Sequence, residues 1–200
     1  MHSKKTIYLA GPEVFLADAI EMGYRKKAFC ETQGFVGLFP YDTEIDSIPI
    51  TAREDHFIYR ANLAMIRRAD AGVFNLTPFR GVSADPGTVF ELGLMMGLGK
   101  PVFGYTNESV DLLTRTREAM ALTLENGVWR DANGMKVEDY GNADNLMIDA
   151  SLAIGGCPIV RRRVAQSERY SDLGGLEECL RVAREALSLA PTGAPSRRVS

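Results

Sequence analysis

Residues 75–97 read NLTPFRGVSADPGTVFELGLMMG. The apolar run Ala71-Gly72-Val73-Phe74 leads into this stretch and emerges as a polar loop, and the stretch closes as a helix with Met and Leu on its buried side. Asp85 and Glu91 lie inside it, and Asp70 stands at the head of the incoming strand. Three carboxylates are therefore expected near one strand-to-helix crossing. Ligands of open α/β sheets bind outside the carboxyl ends of the strands, so a small-molecule site is expected there.

Upstream, Thr6-Ile7-Tyr8-Leu9-Ala10 is a short apolar run closed by Gly11-Pro12, the pattern of a buried parallel strand meeting a loop. Residues 18–33 are amphipathic, with Ile20, Met22, Tyr24, Ala28 and Phe29 set among charges, and Gly34 stops the helix. Residues 35–39 form a second short strand, and residues 41–50 a polar loop over the site. A second helix is predicted over 51–69, where Thr51 and Glu54 have capping-box spacing. A third strand spans 70–76. The helix after it begins at Asp85-Pro86, a favoured N-cap followed by a favoured first helical residue, and Gly99 ends it.

Downstream, 101–105 is a fourth strand. Strands alternating with helices predict a parallel sheet covered on both faces, an α/β single domain of Rossmann-like type. Residues 107–144 interrupt the rhythm as an insertion, with a helical piece over 112–124. A hairpin is predicted to pair 127–130 with 135–138, turning at Asn133-Gly134. A short helix at 146–154, a fifth strand at 158–160 and a helix at 173–189 complete a domain over 1–189. The polar tail 190–200, APTGAPSRRVS, is predicted to be disordered.

With 200 residues and 46% apolar content the chain can bury a real core, and its formal net charge of -3 offers no electrostatic case for nucleic acid or an acidic membrane. Cys30, Cys157 and Cys179 are odd in number and widely spaced, and His2 and His56 are the only histidines. That set suits neither a disulfide framework nor a zinc site; no metal or cofactor is expected, and a reducing cytoplasm fits. The opening MHSKKTIYLAGP has too short an apolar part for a signal peptide, and no run of about 18 apolar residues suggests a membrane span.

Few polar groups fall within the core segments. Tyr8 is either a core tyrosine or a hydroxyl aimed into the carboxyl-end crevice. Glu91, between Phe90 and Leu92, either faces solvent or serves as a nucleophile, since a helix N-terminus favours its ionised form and a carboxylate can attack an anomeric carbon. Asp85 alone reads as an N-cap and Asp70 alone as a strand-start aspartate. Retaining glycosyl transfer needs a nucleophilic carboxylate together with a proton donor near the leaving group.

Four motifs in this order, IYLAGPEVF from Ile7, Asp70-Ala-Gly-Val-Phe-Asn-Leu-Thr-Pro-Phe-Arg-Gly, Asp85-Pro-Gly-Thr-Val-Phe-Glu91-Leu-Gly and Asp144-Asn145-Leu146-Met147, resemble the nucleoside 2-deoxyribosyltransferases. The likeness spans residues 7 to about 147 and implies a flavodoxin-like parallel sheet. It implies Glu91 as the nucleophile that forms a 2-deoxyribosyl ester, Tyr8 as its holder, Asp70 as the aspartate that handles the base proton, and Asp85 as the group on the sugar hydroxyls. Gly11 and Phe15 of the first motif fall on the substrate side. Asn145 and Met147 match a pair that a neighbouring subunit inserts into the site, which implies a homo-oligomer of at least two chains; read alone, they are helix-start residues. The implied substrates are 2′-deoxynucleosides and free bases.

Two other readings stand beside it. Deoxynucleoside 5′-monophosphate N-hydrolases also carry a Tyr and a Glu at these places, but with small hydroxyl residues where Asp85 stands; a carboxylate there repels a 5′-phosphate. A non-catalytic nucleotide-sensing module would need no Glu91. No GxGxxG follows the first strand, which argues against a dinucleotide dehydrogenase.

Overall fold

Strand alternation assigns the faces of the central sheet. Along β1 (Thr6–Ala10), Ile7 and Leu9 enter one apolar cluster while Tyr8 and Ala10 enter the other. The first cluster packs the sheet against α1 (Ala19–Thr32) and α6 (Gly174–Ser188) through Met22, Cys30, Leu176 and Leu180. The second packs it against α2 (Glu54–Arg68), α3 (Pro86–Gly97) and α5 (Leu146–Ile154) through Met65, Ile66, Leu92, Met95 and Leu152. The structure, a computed structural model, describes residues 4–42 and 54–188.

The remaining strands of this sheet are β2 (Val36–Leu38), β3 (Ala71–Asn75), β4 (Val102–Thr106) and β7 (Val160–Arg161). Their order is β2-β1-β3-β4-β7 and every neighbouring pair is parallel. Counting only these five strands, that is the flavodoxin-like order, which reverses between β1 and β3. Tyr8 pairs with Gly72 across that switch point. Among the described residues no helix is long and apolar enough to cross a membrane.

Local chemistry sets the ends of α3. Asp85 caps it by accepting from the Thr88 backbone N–H at 2.8 Å, and Pro86 follows as the first helical residue. At the other end Gly99, at φ 70, lets its own N–H reach the Met96 carbonyl and that of Lys100 reach Met95. Elsewhere the predicted elements are found within one or two residues, save the helix expected from Thr51, which is described only from Glu54. Thr51, most of the 41–50 loop and the 190–200 tail lie outside the described residues.

The insertion departs from expectation. The helix predicted over 112–124 ends as α4 (Leu112–Ala119), where Met120 turns extended at φ -151 and ψ 157. Leu124 instead belongs to β5 (Thr123–Glu125), which pairs antiparallel with β6 (Val128–Arg130). The turn is Asn126-Gly127, at φ 51 and φ 77, a two-residue Asn-Gly hairpin turn. The chain does turn again at Asn133-Gly134, but 135–138 contributes only an isolated bridge, Arg130 to Lys136. The shorter Asn-Gly connection thus takes the hairpin that was expected at the later one.

Candidate active site

The carboxyl ends of β1 and β3 open onto a cavity of about 360 Å³ lined by Gly11, Phe15, Tyr41, Phe57, Ile58, Asn62, Asp85, Thr88 and Glu91, among others. Its walls come from the turn after β1, Pro40 and Tyr41 after β2, the first half of α2 and the first two turns of α3. The size is that of a small-ligand site, and most of the lining is apolar with a few convergent polar groups.

Glu91 is the centre of those groups. Because Tyr8 points to the α2–α3 face of the sheet, its fully buried ring carries the hydroxyl to Glu91, where it donates to Oε1 at 2.7 Å. Asn62 Nδ2 donates to the same oxygen at 3.2 Å. Both bonds fall on Oε1 and leave Oε2 to meet a ligand. Burial pushes the Glu91 carboxyl up to about 7, the Tyr8 and Asn62 hydrogen bonds pull it back, and the Asp85 charge adds to the rise. The Tyr8 hydroxyl is driven well above its ordinary range by burial and by the charge of Glu91, so it acts as a donor only.

Asp85 uses Oδ2 for its cap, taking the Thr88 N–H at 2.8 Å and the Thr88 hydroxyl at 3.0 Å. The cap thus fixes a carboxylate in the wall that Glu91 shares. Gly11 supplies the floor, and no larger residue fits: a Cβ there would stand 2.6 Å from the Asn75 Cβ and 2.0 Å from Glu13 Oε2. Beneath that floor the fully buried Glu13 accepts at Oε1 from Lys26 at 3.0 Å, Asn75 at 2.9 Å and Tyr105 at 3.0 Å, tying three strand ends together. Phe15 is 53% exposed and stacks on Phe79 with centroids 4.9 Å apart and planes 11° apart. It presents an aromatic face at the cavity.

Of the residues singled out in the sequence, Gly11, Phe15, Asp85 and Glu91 line this one cavity, and the buried Tyr8 lies behind it, bonded to Glu91. Asp70 does not. It precedes β3 and so sits at the amino end of the sheet, a strand length of roughly 16 Å from the carboxyl end. There it accepts from Lys5 at 2.9 Å, the Thr6 N–H at 2.8 Å and the Thr6 hydroxyl at 3.0 Å. Partial burial raises its pKa, but these bonds outweigh it and hold the carboxyl below its ordinary value. It closes the end of the β1–β3 pair, and the expectation that it faces the crevice is corrected.

Asn145 and Met147 also lie outside the cavity lining of their own chain. Asn145 caps α5 by accepting from the Met147 N–H at 3.0 Å, and its amide donates to Glu138 at 2.7 Å. Met147 is 72% exposed. Asn62 was missed, although a signal was present. It falls four residues after Ile58 and four before Ile66, a polar residue within the apolar stripe of α2. Its Oδ1 is buried without a hydrogen-bond partner, an acceptor left over in the wall of the cavity.

Comparison with known proteins agrees with the fold and the motifs. Over 169 residues the chain is 30% identical to an uncharacterised protein of Schizosaccharomyces pombe, covering 78% of this chain and 80% of that one. The structure superposes on a 2-desoxiribosyltransferase from Leishmania mexicana at 33% identity and TM-score 0.56, covering 72% of this chain and 85% of the other. A conserved protein from Enterococcus faecalis shares the fold at 16% identity and TM-score 0.51, over 90% of this chain and 99% of that one. The nucleoside 2-deoxyribosyltransferase profile matches residues 7–147, so the chain belongs to the nucleoside 2-deoxyribosyltransferase family.

Proposed function

We propose that the protein transfers 2-deoxyribose between the bases of 2′-deoxynucleosides, with Glu91 as nucleophile. The observation that carries this reading is one carboxylate, Glu91, held by Tyr8 and Asn62 in a cavity wall that it shares with Asp85. Glu91 Oε2 attacks C1′ of the sugar. The C1′–N bond breaks, its electron pair leaves with the base, and the base takes a proton from water. An incoming base then attacks C1′, the ester bond returns its pair to Glu91, and the new nucleoside loses a proton. Two inversions retain the configuration. Such exchange suits nucleoside salvage.

Tyr8 and Asn62 fix the oxygen that does not attack, so the other approaches in one orientation. Asp85 accepts from the sugar, and we assign its partner as the 5′-hydroxyl. Phe15 offers a face for the base. The repulsion between Asp85 and a 5′-phosphate favours nucleosides over their monophosphates, which sets this reading against a monophosphate hydrolase.

The site is completed, in this reading, by a second copy of the chain. α3 and α5 carry apolar residues on their outward sides as well as inward: Phe90 is 57% exposed, Met147 72% and Ile154 87%, and Leu98, which follows α3, is 46% exposed. Helices apolar all round belong in an interior, here one made between chains. Asn145 and Met147 stand at the start of α5.

The test is base exchange. A 2′-deoxynucleoside mixed with a different free base should yield the new nucleoside by chromatography. Free sugar without exchange, under excess acceptor base, would replace the transferase with a hydrolase. Denaturing mass spectrometry of protein quenched during turnover should find a deoxyribosyl adduct on Glu91, absent in Glu91→Ala. Tyr8→Phe should slow transfer roughly tenfold to a hundredfold, the worth of one hydrogen bond to a charged group.

A further inference from the structure

Arg115 and Asp144 are charged, deeply buried at 7% and 1% exposure, and supplied by the insertion between β4 and α5. Both direct bonds at three consecutive residues of one irregular loop, 82–84. Arg115 donates to the Val82 carbonyl twice, through Nε at 3.0 Å and Nη2 at 2.7 Å. Its remaining bonds reach the Val110 and Ala143 carbonyls, so the guanidinium ties the loop to both ends of the insertion. Asp144 accepts from the Ser83 hydroxyl through Oδ1 and from the Ala84 N–H through Oδ2 at 2.8 Å, and its Oδ1 also takes the Asn145 N–H at 2.7 Å. The next residue in the chain is Asp85.

Burying these charges is costly, and an apolar pair of similar volume would hold an insertion in place at least as well. What an apolar pair lacks is direction: here a carbonyl, a hydroxyl and an N–H in succession are each given one partner. The loop they fix has no ladder of its own beyond the Phe79 N–H to Ser83 carbonyl bond at 3.0 Å. We infer that Arg115 and Asp144 are positioning residues, which hold residues 82–84 so that the Asp85 carboxylate faces the sugar beside Glu91. The inference rests on the proposed transferase reading only for the role it gives Asp85.

Two measurements test it. The first needs no substrate. In Asp144→Asn, amide hydrogen exchange at Ala84 and Thr88 should quicken at least tenfold while the β1 and β3 amides keep their wild-type rates. Ser83→Ala, which leaves both charges in place, should show the same change in smaller measure, and it decides the matter if Asp144→Asn loses the β-strand protection too. Wild-type exchange at Ala84 and Thr88 in Ser83→Ala and in a folded Asp144→Asn overturns the inference.

The second is calorimetric binding in a Glu91→Gln background, which prevents turnover. Asp144→Asn should weaken a 2′-deoxynucleoside about tenfold, the loss of one charge-assisted bond. It should leave a 2′,5′-dideoxynucleoside, which has no 5′-hydroxyl for Asp85, unchanged. Equal weakening of both ligands would mean general loosening and overturns the positioning role. If exchange changes as expected while the wild type neither binds deoxynucleosides nor exchanges bases, the transferase reading fails and the clamp on the loop stands.

Discussion

Glu91 is pulled in two directions. Burial and the nearby Asp85 favour the protonated form, while Tyr8 and Asn62 favour the carboxylate, and the balance lies at about 7 against an ordinary 4.5. The raised value costs stability at neutral pH. Below about 4.5 the folded and unfolded chains both hold the proton. As pH rises towards 7 the unfolded chain releases it first, so the stability linked to this proton is lost across that window and is gone above it. Glu91→Gln removes the titration and keeps the shape. At pH 8 the variant should exceed the wild type by roughly 1–3 kcal/mol, and at pH 4 the gap should close. Thermal melts at the two pH values check this; a gap that does not change with pH would remove the titration as its cause. Adduct formation should run the other way, rising with pH through about 7 as the nucleophile ionises.

At the scale of elements, the site depends on how closely β3 and α3 approach. Gly72, opposite Tyr8 in the sheet, is what permits it: a Cβ there would stand 2.6 Å from the Phe74 ring and 2.7 Å from Met95 Sδ. Met95 follows Glu91 by one helical turn. Gly72→Ala should therefore cost about 1–3 kcal/mol by overpacking and lift α3 off Tyr8. A lower melting temperature together with slower transfer is the expected pair of results, and an unshifted melt would mean the neighbours give way without cost. Most elements were legible in the sequence because their signals are local: Asp85-Pro86 starts α3, Gly99 stops it, and apolar runs mark strands buried on both faces. Asp70 was misplaced because sequence order puts it near the loop, while strand direction puts it at the other end of the sheet. Asn62 was passed over because its place on the helix face shows only when α2 is read by its 3.6-residue period. The insertion's hairpin was misread because two Asn-Gly pairs compete, and only the pairing of Thr123–Glu125 with Val128–Arg130 decides between them.

For the whole molecule, the question is why α3 and α5 keep apolar residues facing outward. A sugar site gains from excluding water and pairing its hydroxyls, and a second chain can supply both at the cavity between α2 and α3. A second copy, docked on α3 and α5, would bury Phe90, Leu98 and Ile154 and bring Asn145 and Met147 to the neighbour's site. Met is suited to such a lid because its thioether adapts to the ligand's shape. Under two-fold symmetry each chain would complete the other. Two variants inactive alone, Glu91→Ala and Asn145→Ala, should then recover when mixed. A hybrid dimer has one site with neither substitution, so random exchange restores about a quarter of wild-type activity. Because Asn145 also caps α5, Asn145→Ser serves as a second variant that keeps a capping oxygen and sets no charge against Glu138. Subunit exchange is followed separately by native mass spectrometry. Exchange without recovery for either variant would return Asn145 to the role of a helix cap and leave each chain to close its own site.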